Sequence, residues 1–164
     1  MDNMLKDCKT YYGAIDIGSN AVRLLIKCVE EDEQGKVFFS KVLLLRVPLR
    51  LGFDVFAMGK ISETKEKNML RLMKVFHHLM KIYDVEDYRA CATSAMRDAK
   101  NGKDIIKRIK KKTGIRIEII DGQEEAKMIY NNHIECMEDR NGNYMYVDCL
   151  LYTSDAADEE DSVD

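Results

Sequence analysis

The sequence predicts an α/β protein with one mixed sheet, antiparallel in its first half and joined through helices in its second. Two observations carry this prediction. Three apolar, β-branched segments follow one another at the start of the chain with only short polar turns between them, which is typical of a β-meander. From residue 62 onward, long helical patterns alternate with short strand patterns, as in βαβ units. The predicted order of elements is β-β-β-α-β-α-β-α-β, with helices flanking the sheet.

Length and composition fit a single globular domain. The chain has 164 residues, of which 46% are hydrophobic, enough for one core and hardly for two. No stretch approaches the roughly 20 apolar residues that span a bilayer, and the first ten residues lack the apolar segment of a signal peptide. Five widely spaced cysteines form no CxxC pair, as expected of reduced thiols. We therefore expect a cytoplasmic protein without a membrane partner.

Charge is divided unevenly along the chain. The formal net charge is −3, yet residues 149–164 contain six acids and no base, so the first 148 residues hold 26 bases and 23 acids. A mildly basic body suits an anionic ligand without identifying it. The basic run at residues 107–112 could grip nucleic acid, but no aromatic stacking pattern accompanies it. A solvated helix face is the expected use of that run, and nucleic acid is not an expected partner.

The stretch IDIGSNAVRLLI, residues 15–26, contains the first candidate site. Its two apolar segments predict antiparallel strands joined by a tight turn. The break between them consists of Gly18, Ser19 and Asn20. Gly18 can adopt a positive φ and allows a ligand close to the backbone, so this turn could cradle an anion. An ordinary hairpin explains the turn, taken alone, equally well.

Two charged residues flank this turn. Asp16 lies at the end of the first strand, where it would repel a phosphate unless it held a metal ion or oriented a water. Arg23 follows on the second strand and could supply positive charge to the same ligand.

The third predicted strand covers residues 36–48. The segment after it predicts a loop from Arg50 to Ile61. Gly52 and Gly59 interrupt it as breakers. The loop could be a connector, or it could present Arg50 to an anion. Ser62 then begins a core helix about six turns long, because the apolar residues that follow recur at spacings of three and four.

Two strand-to-helix junctions carry further candidates. The strand at residues 88–93 leads into a helix that begins near Ser94 and has Arg97 in its first turn. Capping of that helix is the minimum role for the junction, and anion binding is an added one. After the strand at residues 115–120, Asp121 and Glu124 have the spacing of a capping box, which gives Glu124 a structural role. Glu125 has no role in that box; its position suits a general base, with complementing the helix dipole as the alternative.

Four segments together resemble the amino-terminal domain of the exopolyphosphatase and guanosine pentaphosphate phosphohydrolase (Ppx/GppA) family. They are IDIGSNAVRLLI at 15–26, RLG at 50–52, ATSAMRDAKNG at 92–102 and IIDGQEEAKMIY at 119–130. The resemblance covers residues 12–148. It implies the ribonuclease-H-like fold shared with actin, sugar kinases and acetate kinase. It also implies a Mg²⁺-dependent enzyme that removes terminal phosphate from polyphosphate, from guanosine pentaphosphate, or from both.

The resemblance also implies roles for individual residues. The phosphate-binding set would be Gly18, Ser19, Asn20, Arg23 and Arg97. Asp16 and Asp148, the acid that ends a last predicted strand at residues 144–148, would hold the metal. Glu125 would be the base that activates the attacking water.

Beyond Asp148 the sequence departs from the family pattern. The family continues with a glycine-rich loop and a second domain, whereas this chain reads CLLYTSDAADEEDSVD. We therefore expect residues 1–148 to form the amino-terminal domain and residues 149–164 to be a non-native or disordered acidic tail. The full-length protein would be the hydrolase, and it could form a homodimer like those of the family. Without the second domain, the site should show little turnover. The alternative is a non-catalytic module that binds polyphosphate or a nucleotide.

Overall fold

The computed structural model describes residues 9–32 and 34–136. By compactness the chain divides into two units, the first ending at Ile120 and the second beginning at Asp121. The first unit contains the sheet. The predicted strand at 144–148, the domain boundary at residue 148 and the predicted tail lie outside the described residues.

Five strands form one sheet in the order β3-β2-β1-β4-β5. They are β1 (Thr10–Ile17), β2 (Val22–Glu31), β3 (Val37–Val47), β4 (Asp87–Ala92) and β5 (Glu118–Ile119). The first three pair antiparallel, whereas β4 pairs parallel with both β1 and β5. The mixed sheet is confirmed. The fifth strand is shorter than predicted because only Glu118 and Ile119 pair with β4.

Five helices accompany the strands in the described part of the chain. They are α1 (Leu51–Met58), α2 (Glu63–Ile82), α3 (Ser94–Asp98), α4 (Gly102–Thr113) and α5 (Gly122–Cys136). The predicted cap of α2 is confirmed, since the Ser62 hydroxyl accepts a hydrogen bond from the Lys65 N–H at 3.4 Å. None of the described helices is long and apolar enough to cross a bilayer.

The prediction of a loop from Arg50 to Ile61 is wrong, because α1 occupies most of it. Gly59 ends this helix with a φ of 66°, as a glycine after a helix commonly does. Gly52, however, is not a breaker: it lies inside the helix, where a Cβ would be 2.9 Å from the Cβ of Ser19. The glycine at this position therefore permits a close approach between two segments that are distant in sequence.

The core of the first unit lies between one face of the sheet and the helices α1 to α4. Alternate strand residues are buried on that face, among them Ile15, Ile17, Val22, Leu24 and Ile26. The predicted apolar stripe of α2 packs in the same cluster through Met69, Met73, Phe76 and Met80, and α4 adds Ile105 and Ile109. The alternation leaves Asp16 and Arg23 on the opposite, less buried face. The pattern that builds the core thus also sets the face on which the candidate site residues lie.

The basic run at residues 107–112 is a solvated helix face, as predicted. Its charged side chains are exposed, while Ile109 within the run is buried in the core. Arg108 forms an ion pair with Glu66 of α2 at 2.9 Å. The run therefore helps to join α4 to α2.

Candidate functional site

The turn between β1 and β2 lies beside the junction between β4 and α3. Because β1 and β4 are parallel neighbours with Ile17 paired to Ala92, the two strands end at the same edge of the sheet. The Thr93 N–H donates a hydrogen bond to the Ile17 carbonyl at 3.2 Å. The hydroxyl oxygens of Ser19 and Ser94 are 2.8 Å apart. Two segments separated by more than seventy residues are thus joined at one edge by a hydroxyl pair.

The turn itself is closed by a hydrogen bond from the Gly18 N–H to the Ala21 carbonyl at 3.0 Å. Gly18 does not use the positive φ that a glycine can adopt, since the described glycines with positive φ are Gly35, Gly59 and Gly114. A Cβ at this position would lie 3.3 Å from the Ala21 carbonyl oxygen, so the small residue serves the tight closure. The Gly18 N–H is engaged by the hydrogen bond that closes the turn. An anion bound here would therefore accept hydrogen bonds from the hydroxyls and from other groups of the loop.

The start of α1 braces the same turn. The Arg50 N–H donates to the Asn20 carbonyl at 2.7 Å, and the Gly52 N–H donates to the Ser19 carbonyl at 2.8 Å. The segment RLG therefore directly contacts the β1–β2 turn at residues 18–20, which is the candidate phosphate loop. The segment belongs to the family pattern, but no local feature of the sequence predicts this contact.

Asp16 and Arg23 face each other across the hairpin. They are register partners of β1 and β2, and an Arg23 Nη1 lies 3.3 Å from an Asp16 Oδ2. Partial burial raises the pKa of the Asp16 carboxyl, and Arg23 opposes this without cancelling it. Desolvation destabilises the charged form of Asp16 more than Arg23 stabilises it. A second cation beside the carboxylate would therefore stabilise the charged form further.

A divalent cation fits the donor set at this edge. Among the described residues, no cluster of three or more His, Cys, Asp or Glu side chains could form an all-protein cage. Mg²⁺ does not need one, because it keeps several waters and is commonly held by one or two carboxylates together with substrate phosphates. Asp16 beside a turn predicted to hold an anion is consistent with that mode. Asp148, the second predicted ligand, lies outside the described residues.

Arg97 lies on α3 at the same edge of the sheet. Its Nη1 donates to the Ile120 carbonyl at 2.9 Å, and its Nε lies 3.7 Å from an Asp98 carboxylate oxygen. Thr93 occupies the N-cap position, where its carbonyl rather than its hydroxyl accepts the first helix hydrogen bonds, from Met96 and Arg97. A guanidinium has five N–H donors, so these contacts leave capacity for a phosphate oxygen.

Glu125 lies in the first turn of α5, in the second unit. The predicted cap by Asp121 is confirmed: its Oδ1 accepts from the Glu124 N–H at 2.8 Å, and its carbonyl accepts from the Glu125 N–H at 3.0 Å. The role of Glu125 as a base stays a prediction.

Asp54 is a buried acid that the sequence analysis missed. It is 7% exposed; its Oδ1 lies 2.7 Å from the Lys65 Nζ, and its Oδ2 accepts from the Ser62 N–H at 2.9 Å. Burial acts to raise the pKa of this carboxyl, but the hydrogen bonds from Lys65 and Ser62 outweigh it and hold the pKa below 3.8. The signal in the sequence was a single acid within the apolar segment LGFDVFAM, which predicts a buried, paired carboxylate only once that segment is known to be helical.

Replacing Asp54 with asparagine is expected to lower the thermal unfolding midpoint near neutral pH and to have less effect in acid. The folded-state pKa lies below the ordinary pKa of an aspartate, so the carboxylate's contribution to stability is present at pH values above that ordinary pKa. It is lost as the pH falls through the folded-state pKa. Thermal melts of both proteins from about pH 7 to about pH 3 measure the difference.

The matched control is Asp104→Asn, which changes an exposed acid on α4. Its midpoint should stay close to that of the unaltered protein at every pH. A gap between the unaltered protein and Asp54→Asn that keeps the same size throughout would contradict the ionised, paired state of Asp54.

The mixed sheet, antiparallel through β1, β2 and β3 and parallel through β1, β4 and β5, is that of ribonuclease-H-like proteins. The chain belongs to the Ppx/GppA phosphatase family, whose sequence model matches residues 28–149. The resemblance to this family is therefore confirmed, and three of its four segments lie within the matched residues.

Individual relatives agree with this assignment. Exopolyphosphatase 1 of Mycobacterium tuberculosis is 28% identical over 118 residues, which are 72% of this chain and 33% of that protein. The crystal structure of the Aquifex aeolicus family member has a TM-score of 0.71 and 28% identity, over 80% of this chain and 41% of that one. An exopolyphosphatase structure from Cytophaga hutchinsonii has a TM-score of 0.69 and 30% identity, over 79% and 41%. The chain thus spans about a third of the curated relative's length.

Proposed function

We propose that the protein of which this chain forms part is a phosphohydrolase that releases terminal phosphate from polyphosphate or from guanosine pentaphosphate. The observation that carries the proposal is the meeting of three segments of the family pattern at one edge of the sheet. The hydroxyls of Ser19 and Ser94 are paired there, and Gly52 braces the carbonyl of Ser19. A loop held in this way offers fixed donors to a phosphate group, and fixed donors favour transfer of a phosphoryl group.

The predicted site residues take complementary roles in the proposed reaction. The terminal phosphate rests on the β1–β2 turn and the two serine hydroxyls, and the guanidinium groups of Arg23 and Arg97 neutralise the charge that develops during transfer. Glu125 accepts a proton from the water that attacks phosphorus. The bond to the bridging oxygen breaks, and the shortened chain leaves.

A divalent cation completes the proposed site, with Mg²⁺ as the ion that the resemblance implies. Asp16 would hold it, together with Asp148. When bound, the ion would offset the negative charge of the phosphoanhydride and of the Asp16 carboxylate.

The names of the relatives favour polyphosphate as the substrate. The mycobacterial relative and the Cytophaga hutchinsonii structure are both named exopolyphosphatases. Guanosine pentaphosphate is the second substrate that the proposal includes. A domain over residues 1–148, a homodimer of the full-length protein and a cytoplasmic location remain parts of the proposal.

Replacing Asp16 with asparagine tests the proposal. In the full-length protein, assayed for phosphate release from polyphosphate with Mg²⁺, we expect the rate to fall about 100-fold or more, since an amide cannot balance the charge of the ion. The variant should fold at least as well as the unaltered protein, because its partly buried carboxylate is replaced by a neutral group of the same size.

Asp104→Asn serves as the control here as well, and it should retain full activity because Asp104 is exposed on α4. Equal activity of Asp16→Asn and the unaltered protein would reject the role of Asp16. Saturable polyphosphate binding by the unaltered full-length protein without release of phosphate would reject the hydrolase and favour a binding module.

A further inference from the structure

Arg50 has an unusual backbone conformation next to the candidate phosphate loop. Its φ is 50° and its ψ is 49°, in the left-handed region that a residue with a Cβ rarely adopts. Among the described non-glycine residues only Asp84 shares a positive φ. Such a conformation persists where surrounding contacts enforce it, and it often marks a functional segment.

Both polar backbone groups of Arg50 are held in place. Its N–H donates to the Asn20 carbonyl at 2.7 Å. Its carbonyl accepts hydrogen bonds from the Nζ of Lys65, which lies on α2, and from the Phe53 N–H at 3.3 Å. Arg50 is therefore held by the β1–β2 turn on one side and by Lys65 together with the first turn of α1 on the other.

Lys65 is committed to this structural contact. Its Nζ is 2.7 Å from Asp54 Oδ1, and it lies 5.8 Å from the centre of the Phe53 ring. The Lys65 side chain is 22% exposed and that of Asp54 is 9% exposed. The Asp54 carboxylate and the Arg50 carbonyl accept from two of the three N–H donors of the ammonium group, so the contacts shown for Lys65 are made within the protein.

A continuous chain of contacts thus runs from Asp54 through Lys65 and Arg50 to the loop. Its last links are the hydrogen bonds from Arg50 to Asn20 and from Gly52 to Ser19. Gly52 lies in the first turn of α1, where an N–H has no partner within its own helix. The Ser19 carbonyl therefore satisfies a donor that would otherwise be exposed to water.

We propose that Asp54 and Lys65 are positioning residues that hold Arg50 in its left-handed conformation and so pre-form the β1–β2 turn for phosphate. The inference rests on the proposed function of that turn. A flexible loop loses conformational entropy each time it binds an anion, because binding orders it. A turn that is already ordered does not have this cost. Loss of the pair should therefore weaken binding while the groups that contact phosphate remain.

The test replaces Lys65 with methionine in the 164-residue chain and makes two measurements. Amide hydrogen exchange by NMR reports the Gly52 N–H, whose bond to Ser19 should open, so that its protection falls about tenfold. Titration with tripolyphosphate and Mg²⁺ should show a dissociation constant raised about tenfold.

Lys67→Met is the matched control. Lys67 lies two residues away on the same helix, 71% exposed and 4.0 Å from Glu63, so its removal takes away an equal charge without touching Arg50. It should leave the protection of Gly52 unchanged.

A second substitution separates positioning from a general loss of stability. Glycine adopts the left-handed region without penalty, so Arg50→Gly added to Lys65→Met should restore the protection of the Gly52 N–H. A fold merely weakened by the loss of Lys65 would not recover in this way. If Lys65→Met does not fold, Lys65→Gln, which removes the charge opposite Asp54, is measured in the same way.

The two measurements fail independently. Unchanged protection of Gly52 in the lysine variant, or no recovery with Arg50→Gly, overturns the positioning role. Absence of tripolyphosphate binding by the unaltered chain counts instead against the proposed function, whereas the exchange result still decides whether the pair holds the turn.

Discussion

Replacing Gly102 with alanine should destabilise the protein by about 3 kcal/mol. A Cβ on this residue would lie 2.1 Å from the carbonyl oxygen of Met96 and 3.1 Å from its carbonyl carbon. Both atoms belong to the backbone of the α3 segment, so neither can swing aside as a flexible side chain would. The start of α4 would have to move away from α3, and the buried contacts between them would be lost.

The same displacement should weaken phosphate binding, because α3 carries Ser94 and Arg97. Denaturant unfolding followed by circular dichroism measures the stability. Gly122→Ala is the matched control, because no atom lies within 4 Å of its would-be Cβ and alanine favours the helix that begins there. Equal unfolding midpoints for Gly102→Ala and Gly122→Ala would show that α3 and α4 separate easily, contrary to this packing.

The hairpin around the candidate site was predictable because its signals are local. Alternation of apolar residues fixes which side chains of a strand face the core, and the break at Gly18 fixes where the chain reverses. These two features together determine that Asp16 and Arg23 lie opposite each other on the less buried face, as the strand register confirms.

The α1 region was not predictable, because its glycine is required by a contact with a residue distant in sequence. Glycine is a poor helix former by local propensity, so Gly52 by itself predicts a break in a helix. In the structure it makes room for Ser19, more than thirty residues earlier, and its N–H bonds to that residue. The left-handed Arg50 and the buried Asp54 depend on the same arrangement. No pattern within a short window shows a contact of this range.

The roles of Arg97 and Glu125 rest on the family resemblance more than on physical signals. A strand-to-helix junction predicted where Arg97 would lie, but not that its guanidinium would be bonded to the Ile120 carbonyl. Capping-box spacing separated Glu124 from Glu125 on physical grounds, whereas the observed cap bonds Asp121 to the backbone N–H of residue 124 and does not distinguish the two side chains. Which of the two acids serves as a base is a question that spacing alone does not answer.

Replacing Glu125 with glutamine in the full-length protein should lower the turnover number for phosphate release by about 100-fold to 10,000-fold. Glutamine has the size of glutamate and retains a carbonyl acceptor, but its amide cannot take a proton from water. Binding of the substrate should change little, because Glu125 acts on the water and not on the phosphate chain. The turnover number comes from saturating polyphosphate, and binding from titration with Mg²⁺ present.

Glu124→Gln is the control that isolates this chemistry. It removes the same charge from the same helix turn, so any effect through the helix dipole should be equal in the two variants. The Asp121 carboxylate bonds to the backbone N–H of residue 124, a contact that the substitution preserves. A similar, small loss in both variants would assign Glu125 to the helix dipole. A large loss of turnover in Glu125→Gln alone, with substrate binding unchanged, would support its role as the base, since the helix dipole acts on both neighbours alike.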